Sequence, residues 1–557
     1  MAKGKIIRVR RNTDDVIKYA SEKCDRGDYL AALSSLLTEL EKHPEKDVVY
    51  SHLADIYTEL GLYEIAVSLW FKYLLVADKK NYWDAYNGLG ANFYFLEENG
   101  YATYYFCEQL KSNDSAESVY EDVLIEFMEK ANSKNEKDDE IRVIRDKTQE
   151  EIDEEKIAIA KKLLFENHID LAMGLFNEVE KDSPLYAKAQ YEKAYVYHYL
   201  LEHEKAIACI DESIELGYVN VRGLAFAIDL YKTFEKDGVA RYIQALVDYK
   251  TDDFEEKYRQ LTSLCDYGQF IKAKEIADEL LLEDEYNANV VYLKAFLLYN
   301  EGDFDEAERY FKKAYLLTCS SQALYYLKVA QMAQDGVIPK EKLKISFDLP
   351  VEEIERRIDL ITDIITGAKN IEDIEFYQID ELVKWCFSSK YEDLQRSLAF
   401  TLITSAKQKY VYMVKEALVS PTIKDMVKRT MLSDLCLYSN QSKVKIVLSN
   451  YFKTVRFYRP DFFEDGKEIF ERAYANVFSL LAILDGEAVY RLSVGARELQ
   501  SEIITAGKVD GVTDEDALAC VMYFYSGTNV MKNESAYKVF NTSREAVGQI
   551  FKLTETL

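Results

Sequence analysis

Five histidines and eight cysteines are the side chains of this sequence best suited to metal binding or covalent chemistry, and their spacing supports neither. The histidines are His43, His52, His168, His198 and His203. His198 and His203 stand five apart, whereas two ligands on one helical face need a separation of about four. The cysteines, Cys24, Cys107, Cys209, Cys265, Cys319, Cys386, Cys436 and Cys520, are scattered singly. No CxxC or CxxH spacing occurs, which argues against zinc and against a disulfide framework. Several fall in apolar helical runs, where cysteine serves as a small core residue. Gly88-Leu89-Gly90 lacks the third glycine of a phosphate-cradling loop, and neither GxxxxGKS/T nor GxSxG is present. Carboxylates are abundant, but spread along helices they read as solvated surface. These residues imply no catalytic site, no metal and no cofactor, so the expectation is a chain that is not an enzyme.

The elements around them are helical. Six prolines in 557 residues leave helix nearly uninterrupted. A formal charge of −28 and a pI near 4.8 repel nucleic acid and anionic membrane at long range and favour basic partner segments. No apolar run reaches 18 residues, so no membrane span is expected. The opening MAKGKIIRVRRNTDD is basic but lacks the apolar core and cleavage site of a secretory signal, which implies a cytoplasmic protein.

One pattern organises the chain. In 290–317 Ala295 is followed by Gly302 at +7, Phe304 at +9, Ala307 at +12, Phe311 at +16 and Ala314 at +19. Small residues at +0 and +12 let two short helices approach, Gly302-Asp303 breaks the chain between them, and the phenylalanines fill the remaining space. The paired small residues recur as Ala20/Ala32, Ala54/Ala66, Gly90/Ala102, Ala160/Ala172 and Ala194/Ala206, with Ala240 and Ala273 as lone second members. Steps between second members are 34 and 36 in a first block, then 34, 34, 33 and 34 in a second. Turn glycines stand at Gly27, Gly61, Gly268 and Gly302, each followed two residues later by Tyr29, Tyr63, Phe270 or Phe304.

This period and residue order resemble the tetratricopeptide repeat (TPR), a helix–turn–helix unit of 34 residues that buries its apolar faces only by stacking. No copy has tryptophan at the family's fourth position. The chain as a whole resembles bacterial TPR proteins. The resemblance implies an all-α fold: a TPR helical-hairpin superhelix, followed by further antiparallel helices loosely like HEAT pairs, with one β-hairpin and a small C-terminal helical domain. The expected divisions are an N-terminal arm at 1–12, three repeats and a capping helix at 13–130, and a charged linker at 131–156. About five repeats and one more helix follow at 157–338, then a helical region at 339–441, the hairpin at 442–460 and the C-terminal domain at 461–557. The linker, read either as loose chain or as a solvated helix, would let the first repeats move relative to the rest.

What the resemblance implies about function is a protein–protein interaction adaptor. In TPR proteins the first helix of each pair lines a concave groove, at positions three before, one after, and four or five after its small residue. Around Gly90 these include Asn87, Tyr94 and Phe95. Around Ala194 they are Tyr191, Tyr195, His198 and Tyr199, and around Ala295 they are Tyr292, Phe296, Tyr299 and Asn300. An aromatic groove offers large contact area at low side-chain entropy cost and suits a peptide or protein segment. The same rings could instead pack against neighbouring repeats. An alternative from another class is a transcriptional regulator. The stretch from Asn533 to Leu553, turning at Asn541-Thr542, is similar to a helix-turn-helix whose Arg544, Gln549 and Lys552 would face DNA. Glu534, Glu545 and Glu555 dilute its positive charge, so nucleic acid is the lesser expectation.

Overall fold

In the computed structural model of the chain, residues 12–112, 148–405 and 407–554 are described. The arm of 1–12, except Asn12, the capping helix of 114–130 and most of the charged linker lie outside them. The described residues fall into two compact units, one formed by 1–137 with 349–557 and the other by 138–348.

The first unit begins with three helical hairpins. These are α1 (Thr13–Cys24) with α2 (Tyr29–Lys42), α3 (Asp47–Glu59) with α4 (Tyr63–Val76), and α5 (Tyr82–Phe95) with α6 (Asn99–Ser112). Asn12 and Asp15 close a capping box that starts α1. Ala32, Ala54, Ala66 and Ala102 are fully buried between helices. Gly88 and Gly90 are packing glycines of α5: a Cβ on Gly90 would stand 2.5 Å from the ring of Phe106, so only glycine lets α5 and α6 meet there.

The second unit continues with α7 (Gln149–Phe165), α8 (Ile169–Asn177), α9 (Tyr186–Tyr199), α10 (His203–Glu215), α11 (Val221–Thr233), α12 (Val239–Asp248), α13 (Phe254–Asp266), α14 (Phe270–Glu283), α15 (Ala288–Glu301), α16 (Phe304–Thr318) and α17 (Ser321–Gln334). Residues 149–156 of the expected linker are the opening turns of α7. A capping box between Thr148 and Glu151 starts that helix, and buried Asp153 accepts from Gln149 at 3.0 Å. Ala160, Ala172, Ala194, Ala206, Ala273, Ala295 and Ala307 are fully buried, but Ala240 faces solvent. The short α12 turns Tyr242 and Leu246 inward instead. The turn inside each pair passes through positive φ, at Asn167, Leu201, Glu235 with Gly238, Gly268 and Gly302 here, and at Gly27, Gly61 and Glu97 in the first unit.

The first unit resumes with α18 (Val351–Thr366), α19 (Phe376–Ser388), α20 (Glu392–Thr404), α21 (Gln408–Val419) and α22 (Asp425–Tyr438). An antiparallel hairpin follows, β1 (Lys443–Leu448) and β2 (Tyr451–Arg456), in register Lys443↔Arg456 through Leu448↔Tyr451. Ser449 and Asn450 both take positive φ, the signature of a turn whose twist matches the strands. The unit closes with α23 (Lys467–Leu484), α24 (Ala488–Thr505), α25 (Glu515–Tyr525), α26 (Asn533–Val539) and α27 (Arg544–Leu553).

The hairpin seals the end of the third repeat. Tyr105 on α6 is fully buried; its hydroxyl accepts from the Phe452 amide at 3.1 Å and donates to the Asn450 carbonyl. Tyr451 meets Tyr101 and Tyr104 edge-on at 5.3 and 4.8 Å. Lys445 donates to the carbonyls of Leu74, Leu75 and Ala77 at the end of α4, at 2.7, 3.0 and 3.1 Å. A cation there satisfies carbonyls that a helix end leaves without partners. On the hairpin's other side, buried Lys428 of α22 donates to Val447 O at 2.5 Å. Burial lowers both amines to about 8. The hairpin thus packs on the ends of the second and third repeats.

Candidate functional site

The face to test is the inner one, built by the first helix of each pair. In α5, Asn87 is exposed and Tyr94 half-buried, and Phe95, 47% exposed, stacks on Tyr63 at 4.9 Å. In α9, Tyr191 is buried. Its hydroxyl meets that of Tyr195 at 3.2 Å, and Tyr195 stacks on Phe226 of α11 at 4.1 Å. His198 is exposed and edge-on to Phe226 at 5.4 Å; Tyr199 is also exposed. In α15, Tyr292, Phe296 and Tyr299 are all buried. These positions divide: Asn87, Phe95, His198 and Tyr199 are exposed, and others are not. Tyr191, Tyr292, Phe296 and Tyr299 are packed within the array, because rings three before, one after and four after the small residue reach a neighbouring helix or the chain that follows. Phe296 meets Tyr326 of α17 at 4.7 Å, and Tyr292 stacks on Phe347 at 5.4 Å.

Phe347 belongs to a strap, residues 338–348, that has no helix or strand of its own. Asn300, half-buried at the end of α15, grips it by the backbone. Its Nδ2 donates to Leu343 O at 2.9 Å and its Oδ1 accepts from Leu343 N at 2.7 Å. Tyr326 donates to Asp348 O at 3.2 Å, and Lys340 lies over the ring of Phe304 at 4.6 Å. Leu343 and Ile345 are half-buried while Lys342 and Lys344 are exposed, so 342–345 alternate as an extended chain does; Ser346 is then half-buried and Phe347 exposed. Two groups show how incompletely it fills the site. Phe347 remains 45% exposed, and the Tyr292 hydroxyl is buried with no hydrogen-bond partner. An unpaired buried hydroxyl costs about 1–3 kcal/mol. Burial also pushes the Tyr292 hydroxyl's pKa upward and raises that of Tyr326 to about 12.

The strap is the feature that sequence reasoning missed. Its signal was the alternation of Leu343, Ile345 and Phe347 with Lys342, Lys344 and Ser346 directly after the repeat register ends. Two further inner residues emerge from the packing. In the register of Ala295, the buried Leu261 and Ile228 take the place of the small residue. Asp266 of α13 and Asp229 of α11 then occupy inner positions, both exposed. Tyr267 donates to Asp229 at 2.9 Å. Burial, with the Asp229 charge nearby, pushes the Asp266 carboxyl up.

Elsewhere, Arg544, Gln549 and Lys552 are exposed on α27, and Asn541 at positive φ makes the turn before it. Among the described residues no group of three or more His, Cys, Asp or Glu side chains is arranged to hold a metal ion. No described helix is long and apolar enough to cross a membrane.

Residues 288–318, the α15–α16 pair that carries the strap's main contacts, match the family model for the tetratricopeptide repeat. The chain carries tetratricopeptide repeats. No curated protein matches it. Among solved structures, the TPR2AB-domain:pHSP90 complex of yeast Sti1 is 12% identical, covering 58% of this chain and 94% of that one, with a TM-score of 0.19. The P58(IPK) TPR domain is 15% identical over 58% and 98%, with a TM-score of 0.20. The APC/C hetero-tetramer Cut9–Hcn1 is 12% identical over 98% and 90%, with a TM-score of 0.18. At such scores these likenesses carry no argument here, and the TPR reading rests on the family model and on the recurring helix pairs with their buried small residues.

Proposed function

We propose that this TPR chain is a non-enzymatic adaptor whose second array takes an extended protein or peptide segment along its inner face. The observation that carries the reading is the Asn300 grip. One side chain pairs with both the N–H and the C=O of Leu343, a contact indifferent to the gripped residue's own side chain and suited to any extended backbone. The acidic charge of the chain favours basic segments. A cytoplasmic setting accords with eight cysteines that form no disulfide with one another. Selecting from a displayed library of random decapeptides on the full-length protein tests the proposal. Enriched peptides should lose at least tenfold in affinity on Asn300→Ala; a selection yielding no Asn300-dependent peptide removes the reading.

A second reading, with DNA bound through α27, is favoured by one observation: exposed Arg544, Gln549 and Lys552 follow a turn in which Asn541 takes the left-handed conformation. Titrating the full chain with duplex DNA decides it. Affinity that falls steeply with salt supports it, and no binding at low salt eliminates it.

A further inference from the structure

We infer that the strap is a built-in competitor for the inner face of the second array, and that the partner displacing it is a lysine-bearing extended segment with apolar side chains at every second position. The inference rests on the adaptor reading and specifies its partner and its control.

Three observations carry it. First, the strap already lies as such a ligand would. Asn300 holds its backbone at Leu343, Leu343 and Ile345 turn inward, Phe347 stacks on Tyr292, and Lys342 and Lys344 stay in water. What the face accepts in cis defines what it accepts in trans. Second, the fit is unfinished. Tyr292 is 6% exposed, and its buried hydroxyl has no hydrogen-bond partner, so a segment that placed a carbonyl or an amide there would gain a bond that the strap lacks. Third, the inner face carries the exposed carboxylates Asp266 and Asp229, one and two repeats back from α15 respectively. A basic segment longer than the strap would run on toward them. The strap itself bonds through few backbone groups, chiefly Leu343 and Asp348, and this is the condition for release without unfolding the repeats beneath.

The test uses a fluorescein-labelled peptide of residues 339–348, PKEKLKISFD, titrated by anisotropy into the full-length chain. A full-length variant carrying Leu343→Ser, Ile345→Ser and Phe347→Ser should bind it at least tenfold more tightly than wild type. Adding Asn300→Ala to that variant should abolish the gain. Hydrogen exchange on the unaltered chain gives a measurement that does not depend on the variant's folding: unlabelled peptide in excess should speed exchange of the Leu343 amide. Equal affinity for wild type and strap variant, with binding still dependent on Asn300, overturns the competitor and leaves the adaptor reading standing. Binding by neither overturns both. Binding indifferent to Asn300→Ala places the peptide elsewhere and overturns the inference.

Discussion

The two repeat arrays each meet a later stretch of their own chain, and they meet it differently. At the third repeat the hairpin is part of the core: Tyr105 is buried to completion, Phe452 nearly so, and Lys445 gives up water for three carbonyls at a helix end. On α15 the strap leaves Phe347 half in solvent and the Tyr292 hydroxyl unpaired. One contact closes a structure, whereas the other covers a surface that could be uncovered. Repeats need something apolar against their exposed ends. An inner face has no such need, so a poorly fitted covering there points toward exchange.

The contrast can be broken most decisively at Tyr105. Tyr105→Ala should cost about 3–5 kcal/mol in denaturant unfolding. Tyr105→Phe, which strands the Phe452 amide and the Asn450 carbonyl, should cost about 1–3 kcal/mol. A loss below about 1 kcal/mol for the alanine variant would make the hairpin as loosely held as the strap. A smaller effect concerns pH. The folded value of Lys428, about 8, lies below its ordinary 10.5, so between those values the unfolded chain holds a proton that the folded chain has shed. Wild-type stability should therefore rise with pH relative to Lys428→Met, by at most about 1.4 kcal/mol per pH unit. A flat difference between pH 7 and 9.5, read from unfolding midpoints, would mean that the ammonium is not buried against Val447. In the second array, Leu201→Gly should stabilise by roughly 0.5–1 kcal/mol, since leucine there is exposed and held at a φ of +62°. An unchanged or lower melting temperature would show that the turn does not hold that strain. Smallest of all, Phe347→Ser should change stability by less than about 0.5 kcal/mol yet speed tryptic cleavage after Lys342 and Lys344. Unaltered cleavage would make the strap as firm as the hairpin.

Much of this was legible in the residues. The small-residue pairs located the helix pairs, because helices can approach closely only where side chains are short. The alternation around Ser449-Asn450 located the hairpin. The Leu201 and Glu235 turns were harder to read, since the left-handed conformation persists there without the glycine that usually marks it. Ala240 misled because α12 is too short to keep the register of its neighbours. The inner positions Tyr292, Phe296 and Asn300 were found by spacing, and packing of the rings within the array was one of the two readings, but the strap on them was not. Spacing within a helix says nothing of a segment arriving from 43 residues downstream. The hairpin's seat on α6 was more remote still.

That remoteness sets a timetable for synthesis. The Tyr105 hydroxyl waits for a carbonyl 345 residues later in the chain. At about 5–20 residues per second of translation, the third repeat emerges roughly 17–70 s before the hairpin that covers it. For that interval Tyr101, Tyr104 and Tyr105 lack the cover they have in the finished molecule. The nascent chain passes through a period of exposed aromatic surface whose length is fixed by the spacing of two short segments, and a slower ribosome would prolong it in direct proportion.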